Sequence, residues 1–411
     1  MRALAALTAC AALGAGSPAT ARTATDAGDR TVVYRGHTFT VPADWEVVDL
    51  AADPTACVRF DRHAVYLGTP GERQDCPARV VGRTESLWLQ PGTATKSAVT
   101  ENRTDRVYRA TASGIAVTAP YGVDRVAIQQ VLRSAGLPVA TARADRQGRY
   151  PAAVTVPTDA TAYRGRGFDA CTAPSQSAMN TWKAQSPYAA IGIYIGGVNR
   201  GCSQPKLTAQ WVQTQYTKGW RFFPLYVGPQ PDAGSGSCDD DCAAITDPAV
   251  QGRAAAEDAV AQAAALGLGK GSVLYNNLEN YTPGGAVTTR VLGYLAAWTG
   301  RLHELGYRSG AYGSVSSLVT DLVAHAKTTT LPDVLYFARW NDEDGTTDAV
   351  LPAGMWAAQQ RIHQYAGERT ETYGGVTISI DRDRLDVGPA CHSRRGDLHR
   401  RCPRSSTIRL N

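Results

Sequence analysis

The chain lacks any apolar run long enough to cross a membrane after its first residues. It has 411 residues, and no later segment approaches the roughly eighteen apolar residues that a membrane helix needs. The N-terminus differs, because Arg2 precedes an apolar run over 3–15 that is followed by the small-x-small sequence Ala19-Thr20-Ala21. This pattern predicts a secretory signal peptide at 1–21 and an extracellular or cell-wall-associated protein. The alternative is lipid anchoring at Cys10, which we favour less because few residues precede that cysteine.

Several common catalytic and ligand-binding motifs are also missing. There is no Gly-x-Ser-x-Gly nucleophile elbow, the seven histidines lack a credible serine or cysteine partner, and no convincing phosphate-binding glycine loop occurs. Cys238-x-x-x-Cys242 has no second ligand pair at zinc-finger spacing, and acidic stretches at 341–345 and 381–386 miss the calcium-loop spacing. We therefore expect neither a metal site nor a cofactor.

The cysteine count agrees with export. Nine cysteines are present, and removing Cys10 with the signal peptide leaves eight, an even number that suits an oxidising compartment. Many connectivities are possible for such a set. Pairing neighbours along the chain predicts the disulfides Cys57–Cys76, Cys171–Cys202, Cys238–Cys242 and Cys391–Cys402.

The net charge is concentrated at the C-terminus. The tail at 391–411 has six arginines and a single acid, Asp397, so its +5 equals the net charge of the whole chain. A solvated terminus pinned by a disulfide is the simpler interpretation, and adhesion to an anionic cell-wall polymer is the functional one. Nucleic acid is an improbable partner, because the tail has no interleaved aromatic residues.

The first part of the chain predicts a small, mostly β accessory domain at 31–133. The alternating stretch at 32–41 predicts a hairpin, short strands follow at 64–67 and 86–89, and a helix is expected at 123–134. Gly, Pro, Ala, Arg and Thr dominate 134–164, which we interpret as a linker. No candidate site residue is predicted in the accessory domain.

The second part, 165–390, has a different pattern of apolar residues. Apolar runs recur at 167–169, 190–195, 222–227, 272–278, 309–312, 334–340, 362–365 and 376–381. Helical patterns lie between them: Asp247-Pro248 begins one helix, and apolar residues stepping by three and four from Val291 to Leu305 line one face of another. Eight strands alternating with helices predict an α/β protein with a parallel (β/α)8 TIM barrel. A doubly wound open sheet is the alternative.

The ends of these runs carry the candidate site residues. Chemistry in such a barrel belongs at the carboxyl ends of the strands. One strand ends in a lone carboxylate, Glu279, which shares a strand face with Tyr275 and Asn277. The other strand-end side chains are Asp169, Tyr194, Tyr226, Tyr312, Trp340, Gln364, Tyr365, Asp381 and Asp383. Acids, amides and rings on one rim suit a carbohydrate, because rings stack on sugar faces and polar groups bind hydroxyls.

Motifs at these positions resemble a known family. Gly167-Phe-Asp-Ala-Cys171, Ile193-Tyr-Ile-Gly-Gly197, Pro224-Leu-Tyr-Val-Gly228 and Tyr275-Asn-Asn-Leu-Glu-Asn-Tyr281 are similar to actinobacterial secreted glycoside-hydrolase-like domains. That family is itself similar to family 25 lysozymes, which cleave peptidoglycan on a TIM barrel. The resemblance covers 165–389 and implies that Glu279 is the general acid. It also implies that Asp169 and Asp381 flank the sugar as supporting carboxylates.

The chain departs from the family beside Glu279. Where the family is expected to have Asp-x-Glu, this chain has Asn277-Leu278-Glu279. The first acid is replaced by an amide, which cannot serve as nucleophile or base. Three functions stay open. The first is hydrolysis of cell-wall or other N-acetyl-sugar glycans with Asp169 or Asp381 as second carboxylate. The second is a substrate-assisted route in which Asn277 orients the acetamido group, and the third is a catalytically inactive glycan-binding pseudoenzyme. In each case the partner is a polysaccharide or peptidoglycan.

Overall fold

The structure is a computed structural model that describes residues 28–144, 155–232, 234–235, 238 and 242–389. The predicted signal peptide at 1–21, the predicted pair Cys391–Cys402 and the basic tail lie outside these residues. Within the described part of the chain, no helix has both the length and the apolar character that crossing a membrane requires.

The N-terminal unit is mostly β structure. Its strands are β1 (Asp29–Tyr34), β2 (His37–Pro42), β3 (Glu46–Asp49), β4 (Ala64–Leu67), β5 (Leu87–Pro91), β6 (Ala98–Asn102), β7 (Val107–Ala112), β8 (Ile115–Pro120) and β9 (Arg143–Ala144). β1 and β2 form a hairpin, and the others form one sheet in the order β3-β4-β5-β8-β7-β6-β9. Helix α1 (Arg125–Ser134) begins at Asp124, whose side chain caps the helix at the Ala127 N–H. The predicted hairpin, strands and helix of this region are confirmed.

The second unit is a closed barrel of eight strands. They are β10 (Tyr163–Asp169), β11 (Ala190–Gly196), β12 (Arg221–Tyr226), β13 (Val273–Asn277), β14 (Arg308–Ser314), β15 (Val334–Ala338), β16 (Gln360–Tyr373) and β17 (Val376–Val387). The helices are α2 (Gln176–Gln185), α3 (Ala209–Thr217), α4 (Pro248–Ala265), α5 (Gly285–Leu305) and α6 (Thr320–Ala324), with a π-helical turn, Val315–Val319, before α6. All eight apolar runs of the sequence form barrel strands.

The last strand corrects the predicted (β/α)8 topology. β10 to β16 pair in parallel, each with the next along the chain, but β17 pairs antiparallel with both β16 and β10. Only Gly374 and Gly375, both with positive φ, separate β16 from β17, and a two-residue hairpin cannot make the long crossover of a parallel pair. Residues 339–359, between β15 and β16, form turns instead of a helix. The fold is a mixed α/β barrel with one antiparallel strand.

The N-terminal unit is fixed to the barrel beside its mouth. Residues 78–83, here called the docking segment, lie along the loop that follows β11, and Val81 packs into the same buried cluster as the barrel interior. Backbone hydrogen bonds join Gly82 to Asn199 and Phe60 to Gly201. The disulfides Cys57–Cys76 and Cys171–Cys202 lie at this junction, and both form in the structure as predicted, as does Cys238–Cys242.

Candidate functional site

A pocket of about 500 Å³ opens at the carboxyl ends of β13, β14 and β15. Its wall includes Glu279, Tyr312, Ser314, Ser316 and Trp340 of the barrel, together with Arg79 of the docking segment. The pocket therefore lies where the sequence predicts a site, although one of its residues comes from the other unit.

The backbone that leads into Glu279 is held by a buried amide. The Glu279 N–H donates to Oε1 of Gln230 at 2.8 Å, and Nε2 of Gln230 donates to the Asn277 carbonyl at 3.1 Å. Glu279 is only 4% exposed, and its Oε1 accepts a hydrogen bond from Nδ2 of Asn277 at 3.1 Å. Since its backbone and one carboxylate oxygen are fixed in this way, Glu279 has a defined position in the pocket wall.

The other carboxylate oxygen of Glu279, Oε2, contacts Arg79. Nη1 of Arg79 lies 3.4 Å from Oε2 of Glu279, and the guanidinium also lies over the Trp340 ring, 5.1 Å from its centroid. The Arg79 side chain keeps 24% of its surface exposed. One cation thus contacts both the acid and the aromatic wall of the pocket.

Trp340 forms an exposed aromatic surface at the rim. The residue is 46% exposed. Its Nε1 donates to Oε1 of Gln364 at 3.0 Å, and the Tyr312 hydroxyl donates to the same oxygen at 2.9 Å. The ring packs on Gly367, where an added Cβ would come within 2.0 Å of Cζ2. Gly367 is therefore required for the position of Trp340, and a flat, partly exposed ring can stack on a sugar.

Beneath the pocket lies a buried layer of three carboxyl groups. Asp381 of β17 is the register partner of Asp169 of β10. Asp383 lies on the same face of β17 as Asp381, because side chains alternate along a strand. Nε2 of Gln364 donates to Asp169 at 3.0 Å and to Asp381 at 3.1 Å, and the Tyr194 hydroxyl donates to Asp169 at 2.7 Å. None of the three acids belongs to the pocket wall.

Burial keeps part of this layer protonated. Burial, with the charge of Asp169 adding to it, raises the pKa of Asp381 to about 8. Burial likewise raises the pKa of Asp169 and raises that of Asp383 well above its usual range. The Tyr336 hydroxyl lies 2.8 Å from Oδ2 of Asp169 and 2.7 Å from Oδ1 of Asp383.

The position of Tyr336 identifies the protonated partner. A tyrosine has one hydroxyl proton, so it can donate to only one of the two carboxyl groups, and the other must donate to it. Asp169 already accepts bonds from Tyr194 and Gln364, which stabilise its charge. We assign the proton to Asp383, whose second oxygen has no hydrogen-bond partner.

The predicted site residues form two groups, with Tyr226 outside both. Glu279, Tyr312 and Trp340 line the pocket, whereas Asn277, Tyr194, Gln364, Asp169 and Asp381 lie buried beside or beneath it. Tyr226 joins neither group, because its hydroxyl donates to Asp258 of α4 at 3.0 Å and its ring packs on Trp298 of α5. The prediction that Tyr226 lies at the rim is wrong, since the uniformly apolar run of β12 gives no sign of which residues face outward.

Sequence reasoning did not predict a role for Arg79, Gln230 or Tyr336. Arg79 and Gln230 lie outside the strands, in segments without a motif. Tyr336 lies inside an apolar run, and the alternation of β15 could have found it once the inward face was known. A metal is a poor fit to the described residues: their one group of three close ligand types is Cys57, Cys76 and Cys202, all in disulfides.

Two solved structures and one protein family are similar to parts of the chain. No curated protein matches the chain. An uncharacterized protein of B. stearothermophilus, at 18% identity, covers 54% of this chain and 95% of its own, with a TM-score of 0.36. The Mycobacterium tuberculosis Tat-secreted protein Rv2525c, solved in complex with L-tartrate, has 16% identity, covers 56% of this chain and 100% of its own, and gives a TM-score of 0.40. The profile of the Rv2525c-like, glycoside hydrolase-like domain matches residues 180–385, half of the 411 residues, and the chain therefore belongs to this family.

Proposed function

We propose that the protein is secreted and that the pocket beside Glu279 binds a glycan. The exposed Trp340 ring offers a stacking surface. Glu279 and the serines at 314 and 316, which also line the pocket, offer hydrogen-bond partners for sugar hydroxyls. Membership of a glycoside hydrolase-like family supports a glycan as the ligand.

One observation favours binding over hydrolysis through two acids. Of the three predicted carboxylates, only Glu279 lines the pocket, and the exposure of Asp169 and of Asp381 is 0%. Both oxygens of each buried acid accept hydrogen bonds within the protein. Glycosidases usually place two carboxyl groups on either side of the scissile bond. Asp169 and Asp381 are better suited to supporting the floor of the site than to reaching a sugar.

The ion pair of Glu279 also favours binding over hydrolysis. A general acid must present a proton to the leaving group, whereas Oε2 of Glu279 faces a cation. With Arg79 at 3.4 Å, Glu279 is arranged to accept a hydrogen bond from a sugar hydroxyl.

A second candidate is substrate-assisted hydrolysis of an N-acetyl sugar. The hydrogen bond from Asn277 to Glu279 favours it by placing an amide beside the acid, and an amide can orient the acetamido nucleophile of such a route once Asn277, which lies outside the pocket wall, becomes accessible to the sugar. This mechanism requires Arg79 to move away from Glu279, so that the carboxyl group can hold a proton before the leaving group departs.

The location of the protein rests on its sequence. The predicted signal peptide at 1–21 supports secretion, and the arginines at 391–411 support adhesion to an anionic cell-wall polymer. Mass spectrometry of the mature N-terminus and sedimentation with purified cell walls, with and without 391–411, test these two proposals separately.

The binding proposal is tested by calorimetry with chitotetraose and with solubilised wall glycan strands. We expect Trp340→Ala to weaken binding about tenfold, because the sugar loses its stacking surface. Val123→Ala is the control, since Val123 is an exposed apolar residue outside the pocket. The proposal would be refuted if the wild-type protein bound neither of the two glycans.

A further inference from the structure

Arg79 is a residue of the N-terminal unit that completes a pocket of the barrel. The docking segment brings it there, and Val81, two residues on, is buried with the barrel interior. Cys76, three residues before, is tied to Cys57. Because the segment is held on both sides of Arg79, the fold fixes the backbone position from which the Arg79 side chain enters the pocket.

The bonding capacity of Arg79 is largely unused. A guanidinium has five N–H donors in a planar fork, and the ion pair with Glu279 occupies one nitrogen at 3.4 Å. Among the described residues, Glu279 is the one carboxylate that forms a salt bridge with Arg79. The side chain is partly exposed and lines the pocket, so its remaining donors are available to a ligand.

The wall of the pocket has more cationic than acidic residues. The charged residues in its wall are Arg79, Arg339 and Glu279, two cations and one acid. Arg339 pairs with Asp348, which lies outside the wall. Burial raises the pKa of all three acids in the carboxyl layer beneath the pocket, which disfavours their charged forms.

We propose that the pocket takes an anionic glycan, a sugar chain that carries a carboxylate, and that Arg79 binds this carboxylate. The inference rests on the proposed glycan-binding function and specifies its ligand. A carboxylate matches the planar guanidinium fork, and the partly exposed Trp340 ring beside the guanidinium offers an apolar contact to the neighbouring sugar. Arg79 is then the specificity-determining residue of the site, and the N-terminal unit supplies it.

The test compares carboxylated glycans with their carboxyl-reduced forms by calorimetry on the full mature chain. Two probes separate the sources of the carboxylate: wall glycan strands, in which it is a lactyl ether, and hyaluronan oligosaccharides, in which it belongs to a uronic acid. We expect the wild-type protein to bind at least one probe about tenfold more tightly than its reduced form. That preference should shrink as salt is added.

The variants assign the preference to Arg79. Arg79→Gln should lose the preference and bind both forms of the probe within about twofold of each other. Arg73→Gln is the matched control, because Arg73 belongs to the same unit and is paired with Asp75 at the surface. It should retain the full preference and the wild-type thermal midpoint, whereas Arg79→Gln is expected to lower the midpoint because it leaves the buried Glu279 carboxylate without its cation.

The outcomes that overturn the inference differ from those that overturn the proposed function. Equal wild-type affinity for carboxylated and reduced glycans refutes the role of Arg79 while glycan binding stands. The role of Arg79 is also refuted if Arg79→Gln weakens binding of the carboxylated and reduced glycans by the same factor, since Arg79 would then only position Glu279. Failure of the wild type to bind any of these glycans or chitotetraose refutes both proposals.

Discussion

Arg79 and Glu279 are 200 positions apart in the chain, yet Nη1 of one lies 3.4 Å from Oε2 of the other. The contact joins the N-terminal unit to the acid at the end of β13. The expectation that the site belongs to the barrel alone is therefore corrected. Any change that moves the docking segment should change the pocket, even when no barrel residue is altered.

Gly201→Ala should displace the docking segment without touching Arg79. A Cβ at Gly201 would meet Cγ1 of Val80 at 2.3 Å and the Val80 carbonyl oxygen at 2.9 Å, so the segment has to shift. We expect a loss of about 1–3 kcal/mol in the free energy of unfolding and a reduced preference for carboxylated glycans. Urea unfolding and calorimetry measure the two effects. Gly300→Ala in α5, with open space around it, is the control, and wild-type binding by Gly201→Ala would contradict the account.

Gly367→Ala should remove the stacking surface of the rim. The new Cβ would overlap the Trp340 ring, which must turn away and break its hydrogen bond to Gln364. We expect a loss of affinity for chitotetraose similar to that of Trp340→Ala, about tenfold. Gly345→Ala, in the turn region before β16 with nothing near its Cβ, should bind normally. Unchanged affinity in Gly367→Ala would show that the ring is not used.

Asn277→Asp should destabilise the protein in a pH-dependent way. It places a carboxyl group where an amide now donates to Oε1 of Glu279 at 3.1 Å, so that two acids face each other and a hydrogen bond is lost. We expect a cost of about 1–3 kcal/mol at pH 8 that largely disappears at pH 4.5, where one of the two acids is protonated. Thermal unfolding at both pH values measures this. A cost that does not change with pH would contradict it.

The buried carboxyl layer predicts that stability falls as pH rises. The usual pKa of an aspartate is 3.8, and that of Asp381 is raised to about 8, so between these values the native state binds more protons than the unfolded state. Each such group lowers the free energy of unfolding by up to about 1.4 kcal/mol per pH unit in that range. Urea unfolding between pH 5 and pH 8 should show the decline.

A pair of variants assigns the decline to the protonated acids. Asp383→Asn should reduce the slope and leave stability at pH 5 nearly unchanged, because an amide can donate to Tyr336 as the neutral acid does. Asp169→Asn should cost about 1–3 kcal/mol at every pH, since it sets an amide donor against the hydroxyl of Tyr194 or the amide of Gln364. The opposite ranking of the two variants at pH 5 would show that Asp169 carries the proton.

The sequence could predict the barrel strands because each is a short apolar run, and strand-end position located Glu279, Tyr312 and Trp340. It did not predict the antiparallel direction of β17, although the Gly374-Gly375 pair is a hairpin signal. The alternation of strands and helices along the chain favours a parallel sheet and masks the signal of that pair. Asp381 consequently reaches the layer beneath the site through its pairing with β10, and not as the carboxyl end of a parallel strand.

The other misses have a different cause. Arg79 reaches the pocket through contacts between the two units, which leave no local pattern in its own segment. Tyr226 was misplaced because every position of its strand tolerates an apolar or aromatic residue, inside or outside the barrel. Local periodicity predicts elements, whereas contacts between distant elements decide which side chains meet.

The most direct test of the central claim combines binding and cleavage on one substrate. Purified actinobacterial cell-wall glycan is incubated with the wild type, Glu279→Gln and Trp340→Ala, and both bound protein and released reducing ends are measured. The account predicts saturable binding by the wild type, weaker binding by both variants, and no reducing ends from any of the three. Release of reducing ends by the wild type that disappears in Glu279→Gln would contradict it and establish a hydrolase.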